Sequence, residues 1–217
     1  MRKQKTIIFD FGGVIVNDLD FIYSNFSKVV RLLGKEPMPK KEYDGAFSPD
    51  WVRMYRKLGI DEPAEKILAL WMQTYASTMD NTHIKLYRHA KDTLDEIRKK
   101  HNIAINTGYR AVELGKLFPM LGLKREDFDF IVTEDMITNR KPHPESLLLL
   151  MKRLGAEPSD CMFIGDTISE IECGKAAGCM TIAATWGANH REDLINAGPD
   201  IVVDSWKELH EKIEALR

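Results

Sequence analysis

The stretch FDFGGVIVND, Phe9 to Asp18, follows the apolar run Thr6-Ile7-Ile8-Phe9 near the start of the chain. Four apolar residues halted by an aspartate and a Gly-Gly pair read as a short buried strand that stops at Asp10. The same short runs recur at Ile103–Asn106, Phe130–Val132, Met162–Gly165, Met180–Ala183 and Ile201–Val203. Helical patterns lie between them, at Ala90–Lys100, Val112–Leu121, Glu145–Leu154, Ser169–Ala177 and Ser205–Leu216. Strand alternating with helix predicts an α/β, Rossmann-like parallel sheet with helices on both faces. Continuous apolar runs such as IAIN and MFIG fit strands buried from both sides.

One interval breaks the alternation. From Asp20 to His83 the periodicity is helical only, with Ile67, Leu70, Trp71 and Tyr75 on one face. Two readings stay open for that stripe, a ligand surface and, more often at helical spacing, core. Pro37, Pro39, Pro49 and Gly59 divide the interval into four helices. The expected organisation is therefore a catalytic core of residues 1–17 plus 84–217, interrupted by an inserted α-helical cap at 18–83.

The bulk properties narrow the function classes. With 31 basic and 33 acidic side chains the net charge is −2, which offers no basic field for nucleic acid. No apolar run approaches the ~20 residues needed to span a bilayer. The four apolar residues before Asp10 are too few for a signal-peptide core. Cys161, Cys173 and Cys179 show no metal-ligand spacing and read as buried thiols in a reducing compartment. A cytoplasmic protein is expected, as a monomer or homodimer.

Ligands of open parallel sheets bind outside the carboxyl ends of the strands. The polar residues at those ends are Asp10, then Thr107-Gly108, then Asp166-Thr167. A fourth element, Arg140-Lys141-Pro142-His143-Pro144, precedes the Glu145–Leu154 helix. Each alone is an ordinary turn or helix cap. Together they supply a nucleophilic carboxylate, a hydroxyl and amide for phosphate, a cation and a second carboxylate. That set suits metal-assisted phosphoryl transfer. A phosphate dianion repels a carboxylate nucleophile, and a hard cation such as Mg²⁺ cancels the repulsion.

The segments FDFGGVIVND, INTGYR, TNRKPHP and FIGDTISEIECGKAAG resemble the haloacid dehalogenase superfamily of hydrolases. The resemblance is to the helical-cap branch that includes phosphoglycolate phosphatases and β-phosphoglucomutases, and it covers essentially the whole chain. It implies Asp10 as aspartyl-phosphate nucleophile, Thr107 and Gly108 as phosphate binders and Lys141 as stabilising cation. It further implies Mg²⁺ held by Asp10, the Gly12 carbonyl and Asp166, with Glu170 supporting the metal or its waters. The implied activity is hydrolysis of a small phosphorylated metabolite, phosphoglycolate-like or a sugar phosphate.

The chain departs from the family pattern at Gly12. Phosphatases of the family usually carry Asp there, as the acid that protonates the leaving alcohol and the base that activates water. A positioned acid/base contributes about 10²–10⁴ in rate. Three readings stay open: an activated leaving group, a substitute group, or a weakly active phospho-ligand-binding relative. The intact Gly165-Asp166-Thr167 argues against metal-free dehalogenation. Asn106-Thr107-Gly108-Tyr109 is similar to a motif of phosphonoacetaldehyde hydrolases, whose carbon–phosphorus cleavage needs a cap lysine. Lys57 is the candidate for that role.

Overall fold

The computed structural model describes residues 4–47, 51–79 and 84–216. Pro49 and the expected end of the insert at His83 fall outside them. In chain order, β1 (Thr6–Phe9) and β2 (Val16–Asn17) lead into α1 (Leu19–Leu32), α2 (Lys40–Ala46), α3 (Trp51–Arg56) and α4 (Ala64–Met79). After β3 (Lys85–Leu86) come α5 (Ala90–Ile97), β4 (Asn102–Asn106), α6 (Ala111–Leu121), β5 (Phe130–Val132) and α7 (Glu145–Leu154). The chain ends with β6 (Cys161–Gly165), α8 (Ile168–Ala177), β7 (Met180–Ala184), α9 (Arg191–Asn196), β8 (Ile201–Val203) and α10 (Trp206–Ala215).

Six of the strands form one parallel sheet in the order β5-β4-β1-β6-β7-β8. All six begin and end within a residue of the runs read from the sequence. Strand β1 lies between β4 and β6, with Phe9 beside both Ile105 and Ile164. The first strand in sequence is thus central in space, and Asp10 emerges at the middle of the rim.

Alternate residues of each strand feed opposite layers, as the pleat requires. Ile7, Phe9, Ile103 and Ile105 join the cluster beneath α5, α6 and α10, which includes Leu94, Leu117 and Leu209. Ile8, Ala104 and Phe163 join the other face, with Leu147 and Leu150 of α7 and Cys173 of α8. Both faces are covered, which is why the strands are uninterruptedly apolar. The three cysteines are free and buried. No helix among the described residues is long and apolar enough to cross a membrane.

Helices α1 to α4 keep a hydrophobic cluster of their own, containing Phe26, Val29, Val30, Tyr43, Met54, Tyr55 and Ile67. The Ile67–Trp71–Tyr75 stripe is partly core: Tyr75 packs edge-on to Phe21 of α1 at 5.1 Å and Ile67 is buried in the cluster, while Trp71 packs against it only partly buried. Where the inserted helices leave and rejoin the core, β2 and β3 pair antiparallel, Val16 with Leu86 and Asn17 with Lys85. This ribbon and α9 are elements the sequence reading does not contain. Two-residue strands have no periodicity to detect, and their pairing joins segments far apart in the chain.

Candidate active site

Each rim residue given a site role from the sequence lines one cavity of about 190 Å³ between the sheet edge and the inserted helices, while Pro142, His143 and Pro144 of the fourth element do not. Asp10, Gly12, Thr107, Gly108, Lys141, Asp166 and Glu170 are all on its wall. Each reaches it for a local reason. Asp10 directly follows β1, and its amide donates to the Ile164 carbonyl at 2.9 Å, carrying the ladder one residue past the strand. Thr107 directly follows β4, its amide donating to Val132 O at 3.0 Å, and its hydroxyl accepts the Tyr109 amide at 3.1 Å. Asp166 directly follows β6, and one carboxylate oxygen accepts the Ala188 amide at 2.6 Å.

Lys141 comes from the loop between β5 and α7 and is 6 % exposed. Its Nζ lies 2.5 Å from Asp10 Oδ1 and 2.9 Å from Glu170 Oε1, and donates to the Asn106 carbonyl at 3.0 Å. Glu170 Oε2 accepts the amides of Asp166 and Thr167 at 2.8 and 3.1 Å. Glu170 therefore both pairs with the lysine and ties down the turn that presents Asp166.

The electrostatics follow from burial. Desolvation holds the Asp10 carboxyl well above the usual range, reinforced by Glu170 and opposed by Lys141. Asp166 is likewise raised, first by burial and then by the charges of Glu170 and Asp10. Burial would raise Glu170 too, but the Lys141 charge and hydrogen bond outweigh it and lower this carboxyl. For Lys141, Asp10 and Glu170 overcome desolvation and raise the ammonium above its ordinary value.

Asp10, Asp166 and Glu170 each offer a carboxylate oxygen within 4.8 Å of one another, all buried. Oxygen-only donors of this kind suit a hard cation such as Mg²⁺. Three carboxylates facing one ammonium leave negative charge that a divalent ion would balance, so the residues present fit the metal. The backbone makes room for Asp166. Gly13 has φ +72°, and a Cβ there would sit 2.1 Å from Asp166 Oδ2. Both conformation and space require glycine at that position.

Asp18 lines the cavity too, and the sequence reading gives it no role. Asp18 is the residue before α1, where an aspartate ordinarily caps the helix, yet its side chain makes no cap bond. It turns inward instead and is 3 % exposed. Oδ1 accepts the Gly13 amide at 3.0 Å, and Oδ2 accepts the Tyr109 hydroxyl. Burial lifts this carboxyl from 3.8 to about 6 against the pull of both hydrogen bonds. The available signal was an aspartate closing the apolar run Val14-Ile15-Val16, on the far side of the glycine turn from Asp10.

That shift has a thermodynamic consequence. A raised folded-state value means that stability present below pH 3.8 is lost as pH rises through about 6. Asp18→Asn, which does not titrate, is expected to gain on the wild type between pH 4 and pH 7, by about 3 kcal/mol at the upper end. Urea midpoints in EDTA would show this. A difference that stays constant over that range would mean the carboxyl carries no burial penalty.

The upper wall is apolar and comes from the inserted helices, through Ile22 and Phe26 of α1, Met54 of α3, and Ile67 and Trp71 of α4. Lys57 is exposed and is not on the wall. Among the described residues, Lys141 is the lysine that faces the cavity.

The model of a known family, described as haloacid dehalogenase-like hydrolase, matches residues 7–184. The chain belongs to the haloacid dehalogenase-like hydrolases. Within that family it is an enzyme of the phosphatase kind. A phosphoglycolate phosphatase of Pseudomonas putida is 27 % identical over 215 residues, spanning 94 % of this chain and 78 % of that protein. The pyrophosphatase PpaX of Bacillus cereus is 26 % identical over 210 residues, 95 % of each chain. A phosphoglycolate phosphatase of Salmonella typhimurium is 31 % identical over 153 residues, 69 % of this chain and 60 % of its own length. Among solved structures, a hydrolase from Pseudomonas syringae superposes with a TM-score of 0.85 at 20 % identity, covering 98 % of this chain and 99 % of that one. The likeness at that identity is one of fold.

Proposed function

We propose that this haloacid dehalogenase-like enzyme is a Mg²⁺-dependent phosphatase that removes phosphate from a small organic monoester through an aspartyl-phosphate on Asp10. The observation that carries the reading is the buried group of Asp10, Asp166 and Glu170 around Lys141, beside Thr107 on one cavity wall. Asp10, Asp166 and the Gly12 carbonyl would hold the metal, with Glu170 supporting it. When bound, Mg²⁺ supplies charge neutralisation between the phosphate dianion and the carboxylates.

The protein's own residues do the rest. Lys141 opposes the burial that raises Asp10 and holds it in place, so that a carboxylate oxygen faces the phosphorus. Thr107 and the Gly108 amide hold the phosphoryl oxygens in place. The apolar wall from α1, α3 and α4 receives the organic part of the ester and limits water. Residues 18–83 act on this reading as the cap, and 1–17 with 84–217 as the catalytic core. Three free buried cysteines support a reducing, cytoplasmic setting.

A generic aryl phosphate provides the test. Turnover is expected with Mg²⁺, is lost in EDTA, and returns when Mg²⁺ is added back. Phosphate binding without turnover of any ester, at any Mg²⁺ concentration, would instead mark a non-catalytic phospho-ligand-binding protein.

A further inference from the structure

Alkyl phosphates leave as strongly basic alkoxides, so their hydrolysis needs a proton donor at the leaving oxygen. Gly12 offers none. The acidic side chains on the cavity wall are Asp10, Asp18, Glu113, Glu134, Asp166 and Glu170. Asp10, Asp166 and Glu170 form the anionic floor. Glu113 accepts the Arg110 amide at 2.7 Å at the start of α6, and Glu134 pairs with Arg140 at 2.6 Å. Asp18 is the remaining one, and the phosphatase reading gives it no task.

Its position relative to Gly12 is specific. A Cβ at Gly12 would lie 2.5 Å from Asp18 Oδ2 and 3.2 Å from Tyr109 Cε2. The Asp18 carboxyl therefore occupies the space into which a side chain at position 12 would project. Glycine at 12 and the inward-turned Asp18 are two halves of one arrangement. The hydrogen bonds that hold it come from neutral donors, the Gly13 amide and the Tyr109 hydroxyl, rather than from a cation. A carboxyl so placed is fixed in direction and, among the described residues, has no ion-pair partner that would compete for its proton.

We propose that Asp18 is the acid–base group of the reaction, reaching the phosphoryl site from the start of α1 and oriented by Tyr109. The proposal rests on the phosphatase reading above. As Asp10 attacks phosphorus and the bond to the leaving oxygen breaks, the Asp18 carboxyl gives its proton to that oxygen. The carboxylate left behind then takes a proton from the water that attacks the aspartyl-phosphate. Inorganic phosphate leaves, and Asp10 and Asp18 return to their starting states.

The test is kcat/KM, which reports the steps up to leaving-group departure, measured with Mg²⁺ on 4-nitrophenyl phosphate and on a primary alkyl phosphate. For Asp18→Asn the alkyl value is expected to fall by about 10²–10⁴-fold. The 4-nitrophenyl value falls by less than about tenfold, because nitrophenolate leaves without a proton. Equal losses on both esters, or an unchanged alkyl value, overturn the proposal. The wild type gives a second reading that needs no variant. Over a series of aryl and alkyl phosphates its kcat/KM should depend weakly on leaving-group basicity, and a steep dependence overturns the assignment to Asp18 alone. A wild type that hydrolyses none of these esters overturns the phosphatase reading and this inference together.

Discussion

Asp10→Asn is expected to lower phosphatase turnover by about 10⁴–10⁶-fold, the scale seen when a covalent nucleophile is removed. An amide oxygen at this position is a far weaker nucleophile, and its loss deletes the covalent route rather than slowing one step of it. The substitution is nearly isosteric, so the fold should survive. Lys141 keeps its 2.9 Å contact with Glu170 and its bond to the Asn106 carbonyl. The decisive measurement pairs turnover with trapping. Wild type quenched during turnover should yield a hydroxylamine-labile acyl phosphate, and the variant should yield none. A variant that keeps a tenth or more of wild-type turnover would show that Asp10 is not the nucleophile and that the phosphate is attacked directly by water.

Lys141→Ala should carry a large stability cost. The lysine is the counter-charge of two buried carboxylates, and its removal leaves Asp10 and Glu170 facing each other without compensation. Breaking a buried pair in this way costs about 3–5 kcal/mol. The pH dependence has a definite sign. Lys141 lowers Glu170 below its ordinary 4.5, so this carboxyl contributes stability above that pH that is lost as pH falls through its folded value. The gap between wild type and variant should therefore be widest at neutral pH and narrow as pH falls below 4.5 toward the lowered folded value. Mg²⁺ should recover part of the loss, since an ion that binds only the folded form adds about 2.7 kcal/mol at a hundred times its Kd. Urea midpoints at pH 7 and pH 4, with and without Mg²⁺, test this. A loss that is the same at both pH values and insensitive to Mg²⁺ would mean that the lysine acts through packing, its ammonium being 5.4 Å from the Phe163 ring.

The two substitutions separate chemistry from scaffold. Asp10→Asn removes a reacting atom and leaves the charge arrangement mostly paired. Lys141→Ala removes no reacting atom and leaves the arrangement unbalanced. One variant should be folded and inactive, the other destabilised and salvageable by metal.

Much of this was legible in the chain because it depends on neighbours in sequence. A strand buried on both faces must be apolar throughout, so TIIF, IAIN and MFIG declare themselves, and the residue that ends each one is set at the rim. The helical insert is equally visible, since Ile67, Trp71 and Tyr75 keep a 3.6-residue period. Rim residues on adjacent strands then converge without further information. The order β4-β1-β6 puts Asp10, Thr107 and Asp166 side by side.

Tertiary structure alone decided the direction of individual side chains. Asp18 reads locally as a helix cap. It faces the cavity because Gly13 and Tyr109 offer donors there, and Tyr109 lies 91 residues further along the chain. Glu170 reads as a possible metal supporter, and its first commitments are to Lys141 and to two backbone amides in its own turn. The β2–β3 ribbon exists only because Val16 meets Leu86 when the insert folds back. Periodicity records which face of an element is buried. It carries nothing about which distant donor a buried carboxylate will find, and in this protein those donors set which way Asp18 and Glu170 face.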